Sequence, residues 1–135
     1  MNDARRIRWK WIIIAALLAE AAVLAIFFLL LFAATAAGAP EIARPMTTLD
    51  YVDAVVMSFL SMLVFTVWVS KRIDSAFVLH GVLIGAVAIL LFTTMWTAST
   101  GSLAQPFWYV VAHGFKILGG IAGGLIAEKR RGVPT

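Results

Sequence analysis

The sequence predicts an all-α integral membrane bundle of four transmembrane helices with both termini cytoplasmic. Three observations predict this fold: the composition, four long apolar runs and the placement of the basic residues. Of the 135 residues, 62% are hydrophobic and 13% are charged, whereas globular proteins carry about 25% charged residues. So short a chain has too little interior for this apolar surface. We therefore expect a lipid bilayer to cover it, which requires about 20 apolar residues per helix.

Four apolar runs are long enough to be these helices. None alternates apolar and polar positions as the strands of a membrane barrel do. Helices are therefore predicted at about residues 11–37, 49–69, 75–98 and 106–127, within one domain that occupies residues 1–135. Pro40 and Pro45 end the first helix, Asp74 is the expected N-cap of the third, and Pro106 suits the first turn of the fourth.

Basic residues predict the orientation of the chain. Loops on the cytoplasmic side of a membrane are enriched in lysine and arginine. The basic residues that fall on one side of a four-pass chain are Arg5, Arg6, Arg8, Lys10, Lys71, Arg72, Lys129, Arg130 and Arg131. Arg44 is the only basic residue in the loops of the other side. Both termini are therefore expected to be cytoplasmic, in a bacterial inner membrane.

The first apolar run also begins like a signal peptide. It follows a basic segment, and Ala34-Thr35-Ala36 resembles a cleavage site. However, its apolar length is about twice the 7–15 residues of a signal-peptide core. A retained first helix is the interpretation that we adopt.

Glu20 and Lys116 are predicted to pair near the middle of the membrane. Glu20 lies about nine residues after Trp11, or roughly 14 Å along a helix, and Lys116 lies about ten residues after Pro106, or roughly 15 Å. Both depths are close to half of a hydrocarbon core about 30 Å thick. An unpaired charge there costs roughly 2.5–3.5 kcal/mol. Such a pair either fixes which helices meet or forms a proton or substrate site.

Three further ionisable residues lie within the predicted helices. Asp53 and His113 have similar depths near the external face, which would allow a hydrogen bond between them, although a histidine satisfied by a neighbouring helix is the favoured interpretation of His113. His80 lies near the cytoplasmic face, where we expect a histidine satisfied by a neighbouring helix. The two histidines differ in depth by roughly 13 Å, which does not suit haem ligation. No metal site and no cofactor are predicted, and the chain contains no cysteine.

Glycines mark the expected helix contacts, because small residues let helix backbones approach closely in lipid. The pairs at GxxxG spacing are Gly81 with Gly85, Gly119 with Gly123, and Gly120 with Gly124. Gly120 and Gly124 share a stripe of the fourth helix with His113 and Lys116. We expect the alanines around Glu20 to receive this stripe, or the stripe to form a dimer contact.

Two family resemblances bear on function. Residues 6–27 (RIRWKWIIIAALLAEAAVLAIF) and 115–131 (FKILGGIAGGLIAEKRR) resemble small uncharacterised bacterial inner-membrane proteins with four predicted spans, a resemblance that implies no activity. Leu18-Ala19-Glu20 in a first helix led by tryptophan is similar to small multidrug resistance transporters, in which such a glutamate exchanges protons for cationic drugs. Lys116 and the second and third helices depart from that family.

Three classes of function follow from the sequence. We expect a non-enzymatic structural or accessory membrane protein, because no catalytic pattern is present and the polar ends are short. A small proton-coupled transporter that uses Glu20 is the alternative, and a lipid-modifying enzyme has only scattered His and Asp residues in its favour. The expected partners are the lipid bilayer and either further copies of the chain or a larger membrane complex, with no nucleic acid.

Overall fold

The computed structural model describes residues 7–39, 41 and 47–132. Four α-helices account for most of them: α1 (Trp9–Ala36), α2 (Thr48–Val69), α3 (Phe77–Thr100) and α4 (Phe107–Arg131), with a short 3₁₀ turn at Ser70–Arg72. Each α-helix is long and apolar enough to cross a membrane. The predicted features at Arg5, Arg6, Pro40, Arg44 and Pro45 lie outside the described residues.

Two helix ends differ from the sequence prediction. α4 continues past residue 127 to Arg131, because Glu128 and the basic residues after it favour a helix. The basic residues also suit the negative C-terminal end of the helix. Asp74 does not cap α3. The residue before α3 is Ala76, with a left-handed φ of 54° and no side-chain capping bond. Asp74 instead forms an ion pair of 2.5 Å with Arg8, which precedes α1.

The helices are arranged so that α1 and α4 lie diagonally across the bundle. α4 packs along both α2 and α3, and α1 packs along the same two helices from the other side. We call the end where α1 begins, α2 joins α3 and α4 ends the basic end. The opposite end, where α3 joins α4, is the far end. This arrangement directs side chains of α1 and α4 toward each other across the interior.

Glycines of α4 bring it into backbone contact with its two neighbours. Gly120 and Gly81 of α3 face each other so closely that a Cβ on either would overlap the carbonyl group of the other. The remaining predicted contact glycines also touch backbone of a neighbouring helix: Gly119 and Gly123 against α2, Gly124 against α3, and Gly85 of α3 against Lys116 O. The two adjacent glycine stripes therefore serve two different helices.

The expectation that α1 receives the glycine stripe is wrong. The alanines of α1 are buried, but they belong to the core formed with α2 and α3: Ala15, Ala16 and Ala19 are 0% exposed in a cluster with Met62 and Ile84. The glycine faces of α4 are occupied by α2 and α3. α1 is therefore held to α4 through long side chains that cross the interior.

The core is closed in the half of the bundle near the basic end and opens toward the far end. All buried residues of α1 lie between Ile12 and Glu20, although the helix continues to Ala36. In α3, likewise, no residue beyond Ala88 is buried. Along α2 and α4, burial continues to Asp50 and Tyr109 near the far end. A groove therefore separates α1 from α3 in this half.

Candidate functional site

Glu20 and Lys116 form a buried ion pair at the centre of the bundle. Lys116 Nζ lies 2.6 Å from Glu20 Oε1, and the side chains are 3% and 10% exposed for lysine and glutamate, respectively. The pair joins α1 to α4 across the diagonal, as counting depth along the two helices predicts. Because each charge is neutralised by the other, the desolvation cost of burying them is partly offset.

Phe92 completes the surroundings of the lysine. The ammonium group of Lys116 lies 4.8 Å from the centre of the Phe92 ring, a distance at which a cation is attracted to an aromatic face. A cavity of about 30 Å³ adjoins the pair, and Ser58 and His113 also line it. This volume accommodates one water molecule.

His113 bonds to Gln105 and not to Asp53. Its Nε2 lies 2.7 Å from Gln105 Oε1 and donates a hydrogen bond to it, because an amide oxygen only accepts. The amide nitrogen of Gln105 donates to Thr93 Oγ1 at 3.1 Å. His113 and Asp53 point in different directions around the helix axes, because His113 projects from the side of α4 that faces α3, where it contacts the Phe92 ring. Asp53 belongs to α2, which packs against the Gly119 side.

The carboxylates at the far end of α2 have different surroundings. Tyr109 donates a hydrogen bond of 2.5 Å to Asp50 Oδ2, which ties α4 to α2. Asp53 is 5% exposed, and its Oδ1 has no hydrogen-bond partner among the described residues. A buried polar atom without a partner costs free energy. Two carboxylates thus lie on one turn of α2, one of them stabilised by a phenol.

His80 fastens the start of α1. Its Nε2 accepts a hydrogen bond of 3.2 Å from the backbone N–H of Arg8, the N-cap residue of α1. Its Nδ1 then donates to Ala76 O at 2.9 Å. The first N–H groups of a helix have no partner within the helix, so His80 supplies one from α3. The structure thus gives His80 a role as an interhelical link, at the opposite end of the bundle from His113.

A groove between α1 and α3 leads from the far end to Glu20. Its volume is about 220 Å³, and apart from Glu20 it is lined mostly by apolar side chains: Val23, Leu24, Phe92, Met95, Trp96 and Ser99. Glu20 is therefore the inner end of an otherwise apolar opening. An apolar molecule with a positive group fits this shape and charge only if it competes with Lys116 for the carboxylate.

Sequence reasoning missed several residues of this site. Tyr109 and Phe92 belong to an aromatic cluster with Trp96, with ring centres 5.4–5.5 Å from Tyr109. Gln105 precedes α4, and its position gives no sign that it bonds inward to His113. The only available signal was helical spacing, since Tyr109, His113 and Lys116 follow one another at i, i+4 and i+7 on one face of α4.

The described residues contain no metal-ligand cluster. Across residues 7–39, 41 and 47–132, no three His, Cys, Asp or Glu side chains lie together as the ligands of an ion would. Comparison of the chain with protein-family models, curated proteins and solved structures found no match. The site therefore combines a neutral ion pair, two carboxylates on one turn of α2 and a mostly apolar groove.

Proposed function

We propose that the chain is a multi-pass protein of the bacterial inner membrane with both termini cytoplasmic, and that it is a non-enzymatic accessory subunit. One observation carries the accessory role. From Ala21 to Ala36, α1 has no buried residue, although this segment is almost wholly apolar. About four turns of α1 are therefore available to a helix of another membrane protein.

The exposed face of this segment has the features of a helix-packing surface. Ala21 and Ala25 are both exposed and stand four residues apart, a spacing of small residues that lets a partner backbone approach closely in lipid. Phe28, Leu29 and Phe32 continue the same face and are 61%, 64% and 72% exposed. We call Ala21, Ala25, Phe28, Leu29 and Phe32 the α1 face.

The ion pair fixes the part of α1 that directly precedes the α1 face. Glu20 immediately precedes Ala21, and its bond to Lys116 anchors α1 at the point where its core packing ends. The half of α1 near the basic end is held by the bundle, while the remaining half is presented outward. The resemblance of residues 6–27 and 115–131 to small four-span inner-membrane proteins supports the same membrane placement.

Site-specific photo-crosslinking in native membranes tests this proposal. A benzoylphenylalanine at Phe28 samples the α1 face, and the same residue at Phe115 of α4 is the matched control. Both replace exposed phenylalanines that lie about eight residues from the far end, or roughly 12 Å along their helices. We expect a protein adduct from Phe28, much weaker from Phe115, and reduced by Ala25→Leu.

The adduct identifies the partner. Its mass distinguishes a second copy of the chain from another membrane protein. Equal adducts at Phe28 and Phe115, or none at either position, would contradict the accessory role. The membrane placement is tested separately with a C-terminal reporter that functions only in the cytoplasm, which we expect to be active.

A small proton-coupled transporter is the second candidate function. The groove of about 220 Å³ that ends at Glu20 favours it, as does the similarity of Leu18-Ala19-Glu20 to small multidrug resistance transporters. The bond from Lys116 to Glu20 weighs against it, because a cationic substrate would have to displace a lysine 2.6 Å away. Growth on toxic cations with Glu20→Gln tests this candidate: unchanged resistance excludes the transporter.

A further inference from the structure

Arg72 lies against two tryptophan rings at the basic end. Its guanidinium carbon lies 4.3 Å from the ring centre of Trp68 and 4.8 Å from that of Trp11. The rings are 6.1 Å apart at 78°, and both pack against the hydrophobic core. Because the rings are fixed by the core, they fix the direction of an otherwise flexible, exposed side chain.

Lys10 supplies a second positive group next to Trp11. Lys10 Nζ lies 5.9 Å from the ring centre of Trp11, so two positive groups share that ring. Lys71, also exposed, precedes Arg72 in the chain. No carboxylate of the described residues lies within the 4.0 Å of an ion pair from Arg72 or Lys10, whereas Arg8 has Asp74. The like charges around Trp11 repel one another, and an anion would relieve this repulsion.

Two other arginines near the basic end already have bonding partners in the protein. Arg131 donates a hydrogen bond of 2.9 Å to Ser70 O, and Arg8 is bonded to Asp74. The guanidinium of Arg72, by contrast, lies against the two indole rings, and the residue is exposed. A planar N–H edge matches the two oxygens of a phosphate.

We propose that Arg72, with Lys10 and the rings of Trp11 and Trp68, binds the phosphate of an anionic phospholipid at the cytoplasmic surface. This inference rests on the proposed membrane placement but goes beyond the accessory role. Indole rings prefer the headgroup level of a bilayer, and these two lie where α1 begins and α2 ends. That location places the Arg72 edge among lipid phosphates.

Native mass spectrometry of the full chain in a zwitterionic detergent tests the site. The protein is titrated with phosphatidylglycerol and, separately, with phosphatidylcholine. We expect preferential binding of phosphatidylglycerol, and a loss of about tenfold in apparent affinity with Arg72→Gln, which removes charge-assisted hydrogen bonds. Arg130→Gln, an equal charge change at an exposed position in the last turn of α4, should change the affinity by less than about twofold.

Two further variants keep the test decisive. Arg72→Lys retains the charge but lacks the planar fork of N–H groups, so we expect it to bind the lipid more weakly. This variant tests the site even if Arg72→Gln does not fold. Trp68→Leu retains Arg72 but removes a ring, and should also weaken binding. Equal losses with Arg72→Gln and Arg130→Gln, or full affinity with Arg72→Lys and Trp68→Leu, would overturn the site in favour of net charge alone.

A competition experiment separates lipid from free phosphate. Inorganic phosphate at millimolar concentration should leave phosphatidylglycerol bound, because the acyl chains also contact the apolar helix surface beside the rings. Displacement by inorganic phosphate at that concentration would overturn the lipid assignment. The photo-crosslink at Phe28 lies in the other half of α1, so failure of either proposal is distinguishable from failure of the other.

Discussion

Replacing Gly120 with alanine adds one methyl group where α4 touches α3. The new Cβ would overlap both the carbonyl oxygen and the carbonyl carbon of Gly81. These are backbone atoms of a helix, so they cannot rotate away as the end of a side chain can. To restore an ordinary contact, the two helices must separate by roughly 1 Å, which loosens the neighbouring contacts. Overpacking of this kind costs about 1–3 kcal/mol, and we expect the upper part of that range.

Gly114→Ala is the matched control for Gly120→Ala. Gly114 lies on the same helix, and a Cβ added there meets no atom within 4 Å. Alanine is a better helix former than glycine, so the control should be neutral or slightly stabilising. Unfolding in mixed micelles, followed by circular dichroism, measures both variants. If Gly120→Ala is as stable as Gly114→Ala, the close approach of α3 and α4 described here does not exist.

Two side-chain links give further predictions. Tyr109→Phe removes the hydrogen-bond donor to the buried Asp50 and should lower the free energy of unfolding by about 1–3 kcal/mol. Asp50→Asn keeps an acceptor and should lower it by less. If Asp50→Asn is the more destabilising of the two, the bond from Tyr109 to Asp50 is excluded. His80→Phe keeps a ring in a site that is 1% exposed but leaves the Arg8 N–H without its partner. Hydrogen exchange at the Arg8 amide should therefore become faster, and an unchanged rate would contradict the role of His80.

Depth along the chain was readable from the sequence, because each helical residue advances the chain by a known length. Four apolar runs gave four helices that can each cross a membrane. The same counting placed Glu20 and Lys116 at one level, and the structure has them 2.6 Å apart. The prediction succeeded because a buried charge without a partner carries a large desolvation penalty, which favours pairing of two opposite charges at the same depth.

The rotation of each helix about its axis, and which helices are neighbours, could not be predicted from the sequence in the same way. A GxxxG pair marks a close contact but does not say with which helix, so the glycine faces were assigned to α1 although α2 and α3 occupy them. Asp53 and His113 share a depth but belong to faces that point to different neighbours. Gln105 lies outside α4, where no helical period constrains its side chain, and its bond to His113 depends on how the chain turns before Pro106.

The pairing of Glu20 with Lys116 is the central claim, and a double-mutant cycle tests it most directly. Glu20→Ala, Lys116→Ala and the double variant are compared in the same unfolding assay. Each single variant leaves an uncompensated buried charge, which costs about 3–5 kcal/mol. The double variant removes both charges, so its loss should be smaller than the sum by about 2 kcal/mol or more. Losses that simply add would contradict the pairing, and with it the anchoring of α1 to α4.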